Sequence, residues 1–180
     1  MSDAVITDKN QSFVREGEKG ALFDESRIYR YSLWRRWGFG SGIEAVTLGD
    51  MVTFIGLNPS TADESEDDPT IRRCIGFAKQ WGFGGLVMLN IFAFRATDPK
   101  DMKKQLNPIG KLNDAAIQNV TDRIGRTVCA WGVHGAWMNR GAAVRAMVRG
   151  TAFHLGQTKQ GFPKHPLYLA SDTELSGDWE

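Results

Sequence analysis

The segment 51-MVTFIGLNPS-60 is the most informative part of the sequence for the fold. Residues 51–57 would be apolar on both faces of an extended chain, which is typical of a strand buried inside a parallel sheet. Asn58-Pro59-Ser60 follows at once, and Asn-Pro is a frequent start of a turn. The segment therefore predicts a buried central strand that ends in a polar turn.

Working outward from this segment, strands and helices are predicted to alternate. Apolar or aromatic runs at residues 29–37, 86–90, 127–131 and 152–155 indicate further strands, and helical spacing covers residues 112–124 and 136–149. Two more helices are expected to start at Asp68-Pro69 and Asp98-Pro99, because Asp caps free N–H groups and Pro fits the first turn. The order predicts an α/β three-layer sandwich. Its central, mainly parallel four-stranded sheet would be flanked by helices and extended by an N-terminal β hairpin or edge strands.

The composition is that of one globular domain. The chain has 180 residues, of which 42% are hydrophobic, and it contains no run of the ~20 apolar residues that cross a bilayer. We expect a flexible arm over residues 1–25 and a single domain over residues 26–180. The polar N-terminus lacks the apolar core of a secretory signal, so we expect a cytoplasmic protein. We also expect a monomer without a membrane partner.

The charged residues leave the question of a nucleic-acid partner open. The net charge is +1, whereas a nucleic-acid binder usually carries a basic surface, so any such surface here must be local. The acidic run at residues 63–68 would repel DNA unless it folds away. Arg30, Arg35 and Arg36 alternate with aromatic residues, a pattern that fits a stacking surface or, the interpretation we favour, half-buried aromatic residues of an edge strand.

Polar residues follow three of the predicted strands. Asn58 and Asn90 end two of them, and His165 lies in a loop between Pro163 and Pro166 after the last one. Each has a structural alternative, as a turn former, a strand cap or a loop residue. Because ligands of open α/β sheets gather at the carboxyl ends of the strands, we expect the three side chains to share one pocket.

In this order, the motifs resemble those of the uracil-DNA glycosylase superfamily, and the resemblance spans about two thirds of the chain. Gly56-Leu57-Asn58-Pro59-Ser60 is similar to the Gly-x-(Asp/Asn)-Pro-(Tyr/Gly) motif, and closest to the mismatch-specific branch, which has Asn. Asn90 resembles the Asn that recognises the flipped pyrimidine, and Trp131-Gly132 resembles the end of the next strand. His165-Pro166-Leu167 resembles a His-Pro-Ser motif.

The resemblance implies a DNA glycosylase that excises a flipped pyrimidine. His165 would stabilise the departing base, and Asn58 would hold the attacking water. Because Asn carries no negative charge, the reaction would be slower than in the branch that has Asp. Asn90 would pair with the base edge. The remaining substrate-binding residues would be Gly56, Pro59, Ser60 and Phe92. No metal or redox cofactor is implied. Some members of the superfamily bind an iron–sulfur cluster through four cysteines, but this chain has only Cys74 and Cys129 and cannot bind one. These two cysteines are interpreted as reduced core thiols.

Two departures from the superfamily pattern concern the substrate. Ser60 stands where uracil-specific enzymes carry a Tyr that excludes groups at pyrimidine C5, so we hypothesise a C5-substituted, phage-type base. Leu167 replaces the usual Ser after His-Pro, so the DNA contacts near it are less defined. Candidate DNA-binding residues, each with solvated surface as its alternative, are Arg72, Arg73, Arg95, Lys159, Lys164, Leu167 and Tyr168.

Two other functions remain open at the level of sequence. One is a hydrolase of free nucleosides or nucleotides that kept the pocket without the DNA groove. The other is a non-catalytic module that binds a base. The sequence leaves open whether the DNA would be single- or double-stranded, and whether the role would be in repair, phage defence or nucleotide metabolism.

Overall fold

Six strands form one mixed sheet in the computed structural model, which describes residues 12–38 and 46–177. The sheet has the order β1-β2-β4-β3-β5-β6. Within it, β3 pairs in parallel with both β4 and β5, and β5 pairs in parallel with β6. The strands are β1 (Lys19–Phe23), β2 (Arg30–Arg36), β3 (Met51–Gly56), β4 (Gly85–Asn90), β5 (Arg126–Cys129) and β6 (Thr151–His154).

The prediction of a four-stranded sheet is wrong in its strand number, because an antiparallel hairpin extends the same sheet. β2 pairs with β4 through Leu33 opposite Met88, and β1 pairs with β2 on the other side. β2 is therefore an inner strand and not an edge strand, and its aromatic residues Tyr31 and Trp34 are buried. Lys19–Phe23 lies in the predicted flexible arm but forms β1, and residues 1–11 of that arm lie outside the described part of the chain.

Helices cover both faces of the sheet. α1 packs Ile71, Cys74 and Phe77 on one face, in a cluster with Phe54 of β3. α3 packs Ala116, Ile117 and Val120 on the other, in a cluster with Ile55 of β3. The helices are α1 (Pro69–Gln80), α2 (Pro99–Lys103), α3 (Asn113–Ile124) and α4 (Arg140–Met147), and within the described residues none has the length and apolar character of a membrane span.

The helix starts predicted from Asp-Pro pairs are confirmed. Asp68 accepts a hydrogen bond from the N–H of Ile71 at 2.9 Å, and Asp98 accepts one from the N–H of Lys100 at 2.8 Å. The helix expected over residues 136–149 begins later, at Arg140, because residues 133–139 form 3-10 turns. Met138 and Asn139 there adopt left-handed backbone conformations with φ of 55° and 52°.

Both cysteines are free thiols in the core, as predicted. Cys74 and Cys129 are fully buried on opposite faces of the sheet. Burial raises the pKa of both thiols, that of Cys129 to about 12, so neither forms a thiolate at neutral pH.

The acidic segment 63–68 folds onto arginines of the β1-β2 hairpin. Both carboxylate oxygens of Glu64 accept hydrogen bonds from Arg27, at 2.7 and 2.8 Å. Asp67 accepts one from Nε of Arg35 at 2.8 Å, and the Arg35 side chain is only 7% exposed. Glu64 and Asp67 are therefore paired with arginines of the same chain, and Arg35 is not available to a phosphate.

Candidate functional site

A cleft of about 820 Å³ opens at the carboxyl ends of β3 and β5. The chain passes from β3 to β4 on one side and later returns to β5 on the other, which makes this edge the topological switch point where α/β proteins bind ligands. Five segments line the cleft: the turn after β3, the start of α1, the residues that lead into α2, the turn after β5, and the loop that contains Thr158 and His165.

Asn58 presents a hydrogen-bond acceptor at this cleft. Its Nδ2 donates to the carbonyl oxygens of Ala96 at 2.7 Å and of Pro59 at 3.1 Å. Because carbonyl oxygens only accept, the amide nitrogen must face them, and Oδ1 remains unused by these bonds. Asn58 lines the cleft, so its Oδ1 can accept a hydrogen bond from a water or a ligand there.

His165 presents a hydrogen-bond donor in the same cleft. It precedes the 3-10 turn Pro166–Tyr168, and its Nδ1 accepts from the N–H of Leu167 at 3.2 Å. In the neutral imidazole the proton is therefore on Nε2. Burial lowers the pKa of His165, an effect that the negative charge of Asp68 partly offsets, so the ring is neutral at pH 7. Its loop is held to the end of β5, because the N–H of Gly132 donates to Pro163 at 2.8 Å.

Asp68 is a cleft residue that the sequence indicated only as a helix cap. It is 8% exposed and lines the cleft together with Asn58 and His165. The signal in the sequence was its position: α1 follows β3, so the cap of α1 lies at the same edge of the sheet as the turn after β3. Among the described residues around the cleft, Asp68 has the only carboxylate.

Asn90 does not line the cleft. It is 3% exposed, and its Oδ1 accepts a hydrogen bond from Nη2 of Arg30 at 3.1 Å. A Cβ atom at Gly56 would lie 3.0 Å from Nδ2 of Asn90, so the glycine allows β3 to pass this side chain closely. The structure thus places Gly56 and Asn90 together, away from the predicted pocket.

Two further predicted substrate contacts are core residues. Phe92 is fully buried and packs against Trp137 with ring centroids 5.1 Å apart. Pro59 is buried, and its carbonyl oxygen accepts from the N–H of Ala96 at 2.9 Å. Neither side chain lines the cleft, because both are buried inside the protein.

Three of the predicted DNA-binding residues lie at the cleft. Lys164, Leu167 and Tyr168 all line it. Leu167 is 37% exposed and Tyr168 is 86% exposed, so the rim carries large apolar side chains in contact with solvent. This is the arrangement expected of a rim that contacts an apolar or aromatic partner.

The other predicted cations lie outside the cleft lining, and the arginines among them bind the chain itself. Arg72 donates to the carbonyl oxygen of Asp67 and Arg73 to that of Leu169. Arg95 donates to the carbonyl oxygens of Ser60, at 3.3 Å, and Arg27, at 3.1 Å. Lys159 is exposed.

A second cavity of about 570 Å³, the side groove, adjoins the cleft. Ser60, Thr61, Ala96 and Thr97 line both cavities, so these four residues form the junction between them. Ser60 is one residue of this junction. Its hydroxyl donates to that of Thr97 at 3.3 Å. Beyond this junction the side groove is lined by Arg27, Ile28, Phe94, Arg95 and Gln105.

Comparison with family models identifies the chain. The model of DUF1643, described as a protein of unknown function, matches residues 30–167, from β2 to the 3-10 turn after His165. No curated protein and no solved structure matches the chain. Because the matched segment is more than half of the sequence, the chain belongs to the DUF1643 family.

Proposed function

We propose that this protein is a DNA glycosylase that hydrolyses the N-glycosidic bond of a flipped pyrimidine and leaves an abasic site. The observation that carries the proposal is the pairing of the Asn58 acceptor with the neutral His165 donor in one cleft at the sheet switch point. Hydrolysis of this bond needs a positioned water, which the Asn58 acceptor can hold, and a hydrogen-bond donor to the departing base, which His165 provides. The motif resemblance to uracil-DNA glycosylases supports the same reaction.

The chemistry follows from the two side chains. The bond between C1′ and the base nitrogen breaks with its electron pair moving to the base, so negative charge develops on the base oxygens. The Nε2–H of His165 donates to such an oxygen and stabilises the anion. Asn58 Oδ1 accepts a hydrogen bond from the water whose oxygen then bonds to C1′.

The side groove supports a C5-substituted pyrimidine as the substrate. Ser60 is small and stands where the cleft and the side groove meet. A substituent at C5 of a bound base would pass over Ser60 toward the side groove, whose lining includes the polar side chains of Arg27, Arg95 and Gln105.

The position of Asn90 changes its part in the proposal. Its acceptor already binds Arg30, so the direct recognition of the base falls to residues that line the cleft. Asn90 holds Arg30 and the end of β4 in place. Asn113 adds to this by donating to the carbonyl oxygens of Asn90, at 2.9 Å, and Ile91, at 3.1 Å.

A second candidate is a hydrolase of free nucleosides or nucleotides. The observation in its favour is that Arg72, Arg73 and Arg95 donate to backbone carbonyl groups of the chain itself, which leaves fewer cations for a DNA backbone. A non-catalytic base-binding module is the third function to be tested.

The test is base release from a panel of substrates. The panel holds single- and double-stranded DNA with uracil, mismatched thymine or 5-hydroxymethylcytosine derivatives, and the matching free nucleosides. We expect abasic sites in DNA with a C5-substituted base. Asn58→Ala and His165→Ala should reduce turnover by about 10²-fold or more, whereas Gln118→Ala, at an exposed amide on α3, should not.

The outcomes separate the candidates. Release from nucleosides alone would favour the second function, and binding without release would favour the third. If the Asn58 and His165 variants lost turnover only to the extent that they lost thermal stability, this result would contradict the assignment of the site.

A further inference from the structure

The cleft contains a carboxylate that the reaction described above does not use. When the glycosidic bond breaks, positive charge develops on the sugar. Asn58 is neutral and His165 acts as a donor, so neither can balance that charge. Among the described residues that line the cleft, Asp68 alone carries a negative charge.

We propose that Asp68 is a catalytic residue: its carboxylate stabilises the positive charge on the sugar and takes the proton of the attacking water. This inference rests on the proposed function and names the source of the charge that an amide at position 58 cannot supply. The step is balanced, since the electron pair of the broken bond stays on the base, the water oxygen bonds to C1′, and the water proton moves to Asp68.

The geometry holds the carboxylate ready for this role. Oδ1 accepts the hydrogen bond from the N–H of Ile71 at 2.9 Å, and Pro69 restricts the backbone next to it. No other described residue donates a hydrogen bond to this side chain, so Oδ2 remains an acceptor for a ligand in the cleft. The charge is therefore fixed in place before a substrate binds, which avoids the cost of reorganisation during the reaction.

The charge of Asp68 acts on two other groups. Its negative charge counters the lowering of the His165 pKa by burial. It also counters the effect of burial on Arg30, whose pKa is lowered to about 10 and which is therefore still a cation at pH 7. Asp68 therefore acts on the His165 ring, with which it shares the cleft, and on a buried cation, as expected for a charge built into a site.

The simpler explanation is that Asp68 is only the cap of α1, and α2 offers a matched control for it. Asp98 also precedes a proline and caps its helix through the N–H of Lys100 at 2.8 Å, but it is exposed and lies outside the cleft lining. Asn caps a helix about as well as Asp. Asp68→Asn and Asp98→Asn therefore both keep a cap and remove one charge, and only the first removes it from the cleft.

The experiment compares these variants on the substrate that the wild-type protein cleaves best. We expect Asp68→Asn to reduce kcat/KM by about 10²-fold or more, Asp98→Asn to stay within about twofold of the wild type, and both to melt within a few degrees of it. A second measurement uses DNA with a pyrrolidine nucleotide, whose protonated ring imitates the charged sugar, and DNA with its neutral tetrahydrofuran counterpart. The wild type and Asn58→Ala should prefer the cationic ligand, and Asp68→Asn should lose that preference.

Two results would overturn the inference and leave the proposed function intact. One is wild-type turnover in Asp68→Asn, and the other is an unchanged preference of that variant for the pyrrolidine ligand. Failure of the proposed function has a different signature, namely no base release by the wild-type protein from any substrate, and the inference would then fall with it.

Discussion

Arg30 donates a hydrogen bond from its guanidinium Nη2 to Oδ1 of Asn90 at 3.1 Å, inside the protein. The same guanidinium donates to the carbonyl oxygen of Ala62 at 3.1 Å, and Arg30 is 2% exposed. The pair links β2, the carboxyl end of β4 and the segment after β3. Asn90, which resembles the base-recognising Asn of the glycosylases, thus binds a buried cation of its own chain.

Removing the Asn90 acceptor should destabilise the fold. Asn90→Ala leaves Nη2 of a buried, charged Arg30 without this partner, and we expect a loss of about 2–4 kcal/mol in the free energy of unfolding. Asn90→Asp keeps an acceptor and adds a countercharge, so it should retain most of the stability. Urea denaturation at pH 7 measures both. Unchanged stability of Asn90→Ala together with altered base preference would instead support direct recognition of the base by Asn90.

Filling the junction at Ser60 should change substrate choice rather than stability. In Ser60→Tyr the ring would close the passage between the cleft and the side groove, and we expect loss of release of C5-substituted bases while uracil release persists. Ser60→Ala keeps the passage open and should keep the wild-type preference. Competition assays with mixed substrates measure the ratio. An equal decrease for both bases in Ser60→Tyr would show that the substituent does not pass this way.

The exposed rim should matter for duplex DNA above all. Leu167 and Tyr168 are large side chains in contact with solvent at the cleft, and an apolar side chain inserted at a base step helps to open a duplex. We expect Leu167→Ala and Tyr168→Ala to reduce release from double-stranded DNA by about tenfold, equivalent to about 1.4 kcal/mol, with little effect on single strands. Equal effects on both forms would contradict a role in base flipping.

His165 should titrate below the ordinary histidine range. Burial lowers its pKa from 6.5, so protonation, and with it the loss of the neutral donor, should begin only as the pH falls below that value. The buried neutral ring contributes stability that is present above pH 6.5 and is lost at lower pH, because the unfolded chain binds the proton more readily. NMR titration of the ring nitrogens checks the pKa and the proton on Nε2, with His165→Gln to assign the signals. Asp68→Asn should lower the pKa further, since the carboxylate raises it.

Local patterns in the sequence predicted the elements that depend on near neighbours. The starts of α1 and α2 follow from Asp-Pro pairs whose carboxylates cap N–H groups two or three residues away. The buried strands follow from runs that are apolar on both faces. The meeting of Asn58 and His165 in one cleft was also predictable, since both follow parallel strands and such strands end at the same edge of a sheet.

Tertiary structure decided which polar groups are left free for a ligand. Asn90 ends β4 and Phe92 follows it, much as Asn58 follows β3. However, Asn90 binds Arg30 and Phe92 packs against Trp137, and these partners are distant in sequence. Asp68 became a cleft residue, and Arg35 of β2 became a partner of the acidic segment, for the same reason. A strand or a cap depends on residues a few positions away, which a sequence displays directly. Whether a polar side chain faces a cleft or a partner depends on contacts between distant segments, and only the folded chain brings these together.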